Sequence, residues 1–145
     1  DASAFKAYSC DVGLLRRQAR LAPSAFTEGD RLFTEFKGAL SENYALQSLL
    51  PQLDAAPGYW TDGKYRYEVD FVIQVDNDIY PVEVKSSGNV EARSLRAYGE
   101  LYSAETPLRV RMSTLNLRRD GDTLNIPLYL ADHAVRLLRL ARTKV

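Results

Sequence analysis

Two stretches rich in aromatic and β-branched residues, Tyr65 to Val75 and Ile79 to Val84, are separated only by Asp76-Asn77-Asp78. Such side chains fit a pleated surface, and a run of Asp and Asn between them favours a tight turn. Tyr59-Trp60, followed by the turn signal Asp62-Gly63, adds a third segment of the same kind. The centre of the chain therefore predicts a three-strand antiparallel meander, and the helical patterns on either side must cover a sheet.

Upstream, Phe5 to Tyr8 reads as a short extended piece, and Asp11 as the cap of a short helix carrying Leu14, Leu15, Arg16, Arg17 and Arg20. Leu21 to Ala25, broken by Pro23, reads as a connection. From Glu28 to Leu50 the residues Leu32, Phe36, Leu40, Leu46, Leu49 and Leu50 recur at mostly helical spacing, and Pro51 ends the run. Downstream, Glu91 to Ala104 is helical through Leu95, Tyr98, Leu101 and Tyr102. Leu108 to Thr114 alternates Leu108, Val110 and Met112 with Arg109 and Arg111, a strand with one wet or phosphate-facing side. A further strand is expected from Ile126 to Leu130, then a helix capped by Asp132. A right-handed crossover from strand 79–87 through helix 91–104 to strand 108–114 makes that pairing parallel. The expectation is an α/β fold: one domain over residues 1–145, with a mixed sheet flanked by helices.

Nineteen basic residues balance 19 acidic ones, which argues against a protein that coats nucleic acid through bulk charge. The balance hides a gradient. Residues 51–100 carry five basic and nine acidic side chains, whereas residues 101–145 carry eight and four. That suits a cation site beside a phosphate-contacting surface, and scattered surface charge fits it equally. A single cysteine, Cys10, excludes a disulfide framework and a multi-cysteine zinc site, and reads as a small buried hydrophobe. No apolar run is long enough to span a membrane and no signal peptide opens the chain, so a cytoplasmic domain is expected.

Several motifs fail. Gly58 to Tyr65 resembles a phosphate-binding loop until Tyr65 replaces the magnesium-binding hydroxyl, and the segment joins strands instead of opening a helix. A Ser-His-Asp arrangement would have to use His133, the only histidine, and a lone histidine near a helix start reads as structural. Three acid-x-lysine triplets occur: Glu35-Phe36-Lys37, Asp62-Gly63-Lys64 and Glu83-Val84-Lys85. Residues two apart diverge on a helix, and Asp62 and Lys64 flank a turn glycine. Only Glu83 and Lys85 lie on an apolar strand, where a period of two sends both to one face. Asp70 interrupts the apolar run of the preceding strand, and Glu42 sits on the helix before the meander. Three carboxylates and a lysine suit Mg²⁺- or Mn²⁺-assisted phosphodiester hydrolysis, in which hard oxygens hold the ion and the ammonium orients water. A buried ion pair of Lys85 with Glu83 or Asp70, without chemistry, fits the same residues.

The order Glu42, Val69-Asp70-Phe71, Glu83-Val84-Lys85 resembles the PD-(D/E)xK nuclease superfamily, with Val69 in place of the proline. Lys6-Ala7-Tyr8, Asp11 to Leu15, Phe36 to Tyr44, Tyr59-Trp60, Glu68 to Val72 and Pro81 to Ser86 are similar to one branch of it. That branch is the domain of unknown function at the C-terminal end of bacterial and archaeal AAA-type ATPases. The resemblance implies a restriction-endonuclease-like α-β-β-β-α-β core and an ATPase module preceding Asp1 as partner. It also implies Asp70 and Glu83 as Mg²⁺ (or Mn²⁺) ligands, Lys85 as the water-activating cation and Glu42 as an auxiliary ligand, with DNA as substrate. The alternative is a nuclease fold kept as a non-catalytic regulatory or partner-binding domain. For a phosphate backbone, Arg93 and Arg96 share a face at the start of helix 91–104, and Ser86 lies just before it.

Overall fold

The computed structural model describes residues 5–21, 31–64, 66–87 and 91–142, with the backbone alone for 31–35. The break expected at Pro23 and the helix start expected at Glu28 lie outside the described residues. Helix α1 (Val12–Gln18) is capped by Asp11, whose carboxylate accepts from the Leu14 N–H at 3.0 Å, as the sequence led us to expect. Helix α2 (Arg31–Leu49) runs into a short 3-10 turn that contains Pro51.

Strands β1 (Gly58–Thr61), β2 (Glu68–Val75) and β3 (Asp78–Val84) form the antiparallel meander. Asp76 turns the β2–β3 hairpin at a φ of 56°, a backbone region that Asp tolerates better than most residues. Helix α3 (Arg93–Leu101) then crosses over, and β4 (Arg109–Ser113) pairs parallel to β3. Two expectations need correction here. The strand placed at Ile126 to Leu130 is β6 (Thr123–Pro127), parallel to β4, and it is preceded by an unforeseen edge strand β5 (Arg118–Asp120). Asp132 does not cap the last helix. It lies inside a 3-10 segment, Leu128–His133, that continues directly into α4 (Ala134–Arg142) and leaves no chain break to cap.

The six-stranded order is β1-β2-β3-β4-β6-β5. The core divides into two clusters, and Val69 and Phe71 fall in different ones at the point where the β1–β2 register shifts. Phe71, Ile73, Tyr80, Val82, Val110, Met112, Leu124 and Ile126 pack with Ala45 and Leu49 of α2 and Val135 and Leu138 of α4. A smaller cluster, Val69 with Leu95 and Tyr98, lies under α3, where Trp60 meets the Tyr98 ring edge-on at 5.3 Å. Next to it the α3 face of the central strands turns polar. Glu83 pairs in register with Arg111, and Arg111 with Asn125. All three are buried. Arg111 is thus no wet side of β4: its Nε donates to Asn125 Oδ1 at 3.1 Å, and the Glu83 carboxylate beside it offsets the charge. Cys10 is exposed, contrary to expectation, because it sits between the extended segment and the Asp11 cap. Among the described residues no helix is long and apolar enough to cross a membrane.

Candidate active site

The β2–β3 register, with Phe71 opposite Val82, sets Asp70 beside the end of β3. There the Val84 N–H donates to Asp70 Oδ2 at 2.7 Å, so one carboxylate oxygen is fixed by backbone. β3 is held in turn by the Lys85 N–H, which donates to the Met112 carbonyl of β4 at 2.8 Å. The Lys85 ammonium pairs with Glu83 Oε1 at 2.7 Å. Glu83 Oε2 is buried and accepts no hydrogen bond. A buried charged oxygen without a donor is costly unless a cation approaches it.

The electrostatics agree with that geometry. Burial raises the Glu83 carboxyl above the usual carboxylate range, and the bond and charge of Lys85 oppose the rise. Burial raises Asp70 as well, against the Val84 N–H and the charge of Lys6. Glu42, on α2, is raised by burial and by the negative charge of Asp70.

Lys6, which our reading of the residues did not place in the site, enters it from the extended N-terminal segment. Its ammonium pairs with Glu68, lies 3.4 Å from Asp70 Oδ1 and 3.9 Å from Glu42 Oε2, and stands 5.9 Å from the Tyr59 ring centroid. Burial alone would lower its pKa, but the Glu68 hydrogen bond and the charge of Asp70 raise it. The neighbouring Tyr8 hydroxyl is pushed up to about 12, chiefly by burial. The signal for Lys6 was present only as part of the Lys6-Ala7-Tyr8 similarity, because nothing in sequence spacing joins it to Asp70, 64 residues away.

The expected residues do not all open on one cavity. Asp70 lines an apolar pocket of about 360 Å³ with Lys6, Tyr8 and Tyr59. Glu83 and Lys85 line a polar cleft of about 460 Å³ with Arg66, Glu91, Arg93 and Ser94. The start of α3 thus does lie beside Glu83 and Lys85, as its place in the sequence suggested. Arg93 faces that cleft and pairs with Glu91 at 3.1 Å. Arg96 lines a different cleft, with Arg109, Arg111 and Arg118, so the two arginines do not form one patch. Ser86 is half-buried in the bend after β3 and lines neither cleft.

A divalent ion fits this donor set in one respect and not in another. Among the described residues no group of three His, Cys, Asp or Glu side chains is disposed around a common point for a metal. Mg²⁺, however, is commonly held by only one or two carboxylates and keeps several waters. Asp70 has both oxygens bonded, to the Val84 N–H and the Lys6 ammonium, whereas Glu83 Oε2 on the adjacent strand accepts no hydrogen bond.

Fold and site together define a single mixed α/β domain with a carboxylate–lysine cluster at the junction of its antiparallel and parallel strands. Residues 37–130 match the family described as a domain of unknown function, DUF4143, and the chain belongs to that family. No curated protein and no solved structure matches it.

Proposed function

We propose that this chain is a Mg²⁺- or Mn²⁺-dependent nuclease domain of the PD-(D/E)xK type that hydrolyses DNA phosphodiester bonds. The observation that carries the reading is the buried Glu83 Oε2, which accepts no hydrogen bond, on the strand that pairs with the one bearing Asp70. Asp70 and Glu83 would hold the ion, with Glu42 an auxiliary acid. When bound, the ion supplies Lewis-acid polarisation of the phosphate and lowers the pKa of a coordinated water.

The chain's own groups account for the rest. The Val84 N–H fixes Asp70 Oδ2, and the Lys6 ammonium lies 3.4 Å from Oδ1, so an ion at Asp70 would share Oδ1 with Lys6 or displace it. Lys85 holds Glu83 Oε1, which leaves Oε2 without a hydrogen bond, and its ammonium would orient the attacking water. Arg93, at the rim of the same cleft, is placed to contact a phosphate. In this reading the domain is cytoplasmic and works with an AAA-type ATPase module in the same chain.

Purified protein incubated with plasmid, linear and single-stranded DNA plus Mn²⁺ is expected to nick or degrade DNA, and Glu83→Ala to abolish this. Absence of cleavage on every substrate, with an ATPase module present as well, would overturn the reading. A second reading, a non-catalytic regulatory or partner-binding domain, is favoured by one observation. Ammonium groups already pair with Glu42, Glu68, Asp70 and Glu83. Intact DNA together with stable association with such an ATPase module would select it.

A further inference from the structure

On the α3 side of the sheet a row of polar residues runs in register across four strands. Glu83 of β3 stands opposite Arg111 of β4, Arg111 opposite Asn125 of β6, and Asn125 opposite Arg118 of β5. The middle of the row is fixed. Asn125 Oδ1, which accepts from Arg111 Nε, also accepts from the Ser113 hydroxyl at 2.7 Å, and Asn125 Nδ2 donates to the Leu115 and Asn116 carbonyls at 3.1 and 2.9 Å. Arg111 and Arg118 line a cleft of about 580 Å³ together with Arg96 of α3 and Arg109 of β4. Arg111 is buried, whereas Arg96 and Arg118 are exposed.

Three acids line the same cleft: Glu91, Asp120 and Asp122. Asp122 pairs with Arg109, Asp120 with Arg118 Nε at 2.7 Å, and Glu91 with Arg93. Glu83, beside Arg111, pairs with Lys85. Counted with these partners, five arginines and one lysine face four acids, a surplus of two positive charges. The opposite surplus, Glu42, Glu68 and Asp70 around the ammonium of Lys6, lies beyond β3 on β2 and α2. A guanidinium offers five N–H donors in a planar fork, so a carboxylate held at one nitrogen leaves donors for another anion. Arg96 makes no ion pair among the described residues.

We propose that the cleft between α3 and strands β4, β6 and β5 binds phosphate groups, with Arg96, Arg109 and Arg118 as its donors and the buried Arg111 as its fixed positive floor. Phosphate suits it because a guanidinium fork matches phosphate oxygens with two parallel hydrogen bonds, and a surplus of two charges matches a dianion. Overall neutrality excludes coating by bulk charge and not a local site of this kind. The phosphate has two sources, a nucleic-acid backbone or a free nucleotide. Glu91 lines this cleft and the Glu83–Lys85 cleft alike, so the two adjoin, and a chain of phosphates could continue from one into the other. The site requires neither a metal nor cleavage and stands apart from the nuclease reading above.

The test is binding by the full chain in EDTA of two probes, a labelled single-stranded oligonucleotide followed by anisotropy and ATP followed by calorimetry. Wild type is expected to bind at least one of them, and Arg96→Ala and Arg118→Ala each to weaken that binding about tenfold or more. Both residues are exposed, so the changes should leave the fold intact. Arg136→Ala, on α4 across the sheet, removes the same charge and should change nothing. Tighter binding of the oligonucleotide selects a backbone, and the slope of log affinity against log salt then falls by about 0.7 for each arginine removed. Tighter binding of ATP selects a nucleotide. Binding of neither probe, or equal affinities in wild type, Arg96→Ala and Arg118→Ala, or equal weakening in all three variants, would overturn the proposal. Because EDTA removes divalent ions, binding here without cleavage in Mn²⁺ would leave the site standing and the nuclease reading fallen.

Discussion

The guanidinium of Arg109 on β4 lies where a side chain on Gly99 of α3 would stand. A Cβ on Gly99 would come within 2.6 Å of Arg109 Nη1 and 3.1 Å of its Cδ. From there the arginine reaches Asp122 in the β5–β6 turn, and the two form an ion pair. A glycine inside a helix costs about 1 kcal/mol relative to alanine, so its use here is explained by the arginine it admits. Gly99→Ala is expected to lower the melting temperature despite its better helix propensity. In an Arg109→Ala background the same change should stabilise by about 1 kcal/mol. A double-mutant cycle by urea unfolding checks this, and additive effects would show that the two residues are independent.

Asp11 joins two helices as well as capping one. Its Oδ1 accepts from the Leu14 N–H, its Oδ2 from Gln47 Nε2 at 3.2 Å, and Gln47 Oε1 accepts from the Val12 N–H at 3.0 Å. Asp11→Ala is expected to cost about 1 kcal/mol by loss of the cap. Because the segment bearing Lys6 leads into this cap, amide exchange at Ser9 should also accelerate. Unchanged exchange at Ser9 would uncouple the cap from the N-terminal segment.

The fold was largely legible because hydrophobic period and turn chemistry agree over residues 59–84, and helix 91–104 sits between two apolar strands. Strand β5 was missed because Arg118, Arg119 and Asp120 are all exposed and carry no apolar alternation. Its only signal was Asp120-Gly121-Asp122, where Gly121 adopts a φ of 58°. Asp70, Glu83 and Lys85 were readable as one group, since the period of two and one hairpin bring them together. Lys6 and Glu68 were not, because their convergence depends on an irregular segment packed through Tyr8 and Ser9. Arg111 looked solvent-facing because alternation shows which side a residue takes, and not that this side holds Glu83 and Asn125.

The carboxylates of the site make stability fall as pH rises toward neutrality. Burial holds Asp70, Glu83 and Glu42 above the usual carboxylate range in the folded state. A raised folded pKa contributes stability that is present at low pH and is lost as pH rises through that pKa. Asp62, Asp76 and Asp122 are shifted down by backbone or arginine hydrogen bonds, and their contribution is lost only as pH falls below the usual carboxylate range. In EDTA, the urea midpoint of wild type should therefore decline as pH rises above the usual carboxylate range. Asp70→Asn combined with Glu83→Gln should flatten the decline. A rise instead would contradict the account.

Lys85 and Asp70 are expected to separate on mutation. Lys85→Met removes the group that orients water and should slow cleavage by about 10²-fold or more while Mn²⁺ still binds. Asp70→Asn should lose cleavage and weaken Mn²⁺ binding together. Single-turnover cleavage alongside Mn²⁺ titration distinguishes the two, and loss of Mn²⁺ binding in Lys85→Met would assign the lysine a purely structural role.

Anomalous scattering from a crystal soaked in Mn²⁺ tests most directly whether Asp70 and Glu83 hold a divalent cation. A peak is expected within coordination distance of Asp70 and of Glu83 Oε2, with Lys6 still seated among Glu42, Glu68 and Asp70. No peak there at a saturating Mn²⁺ concentration would contradict that reading.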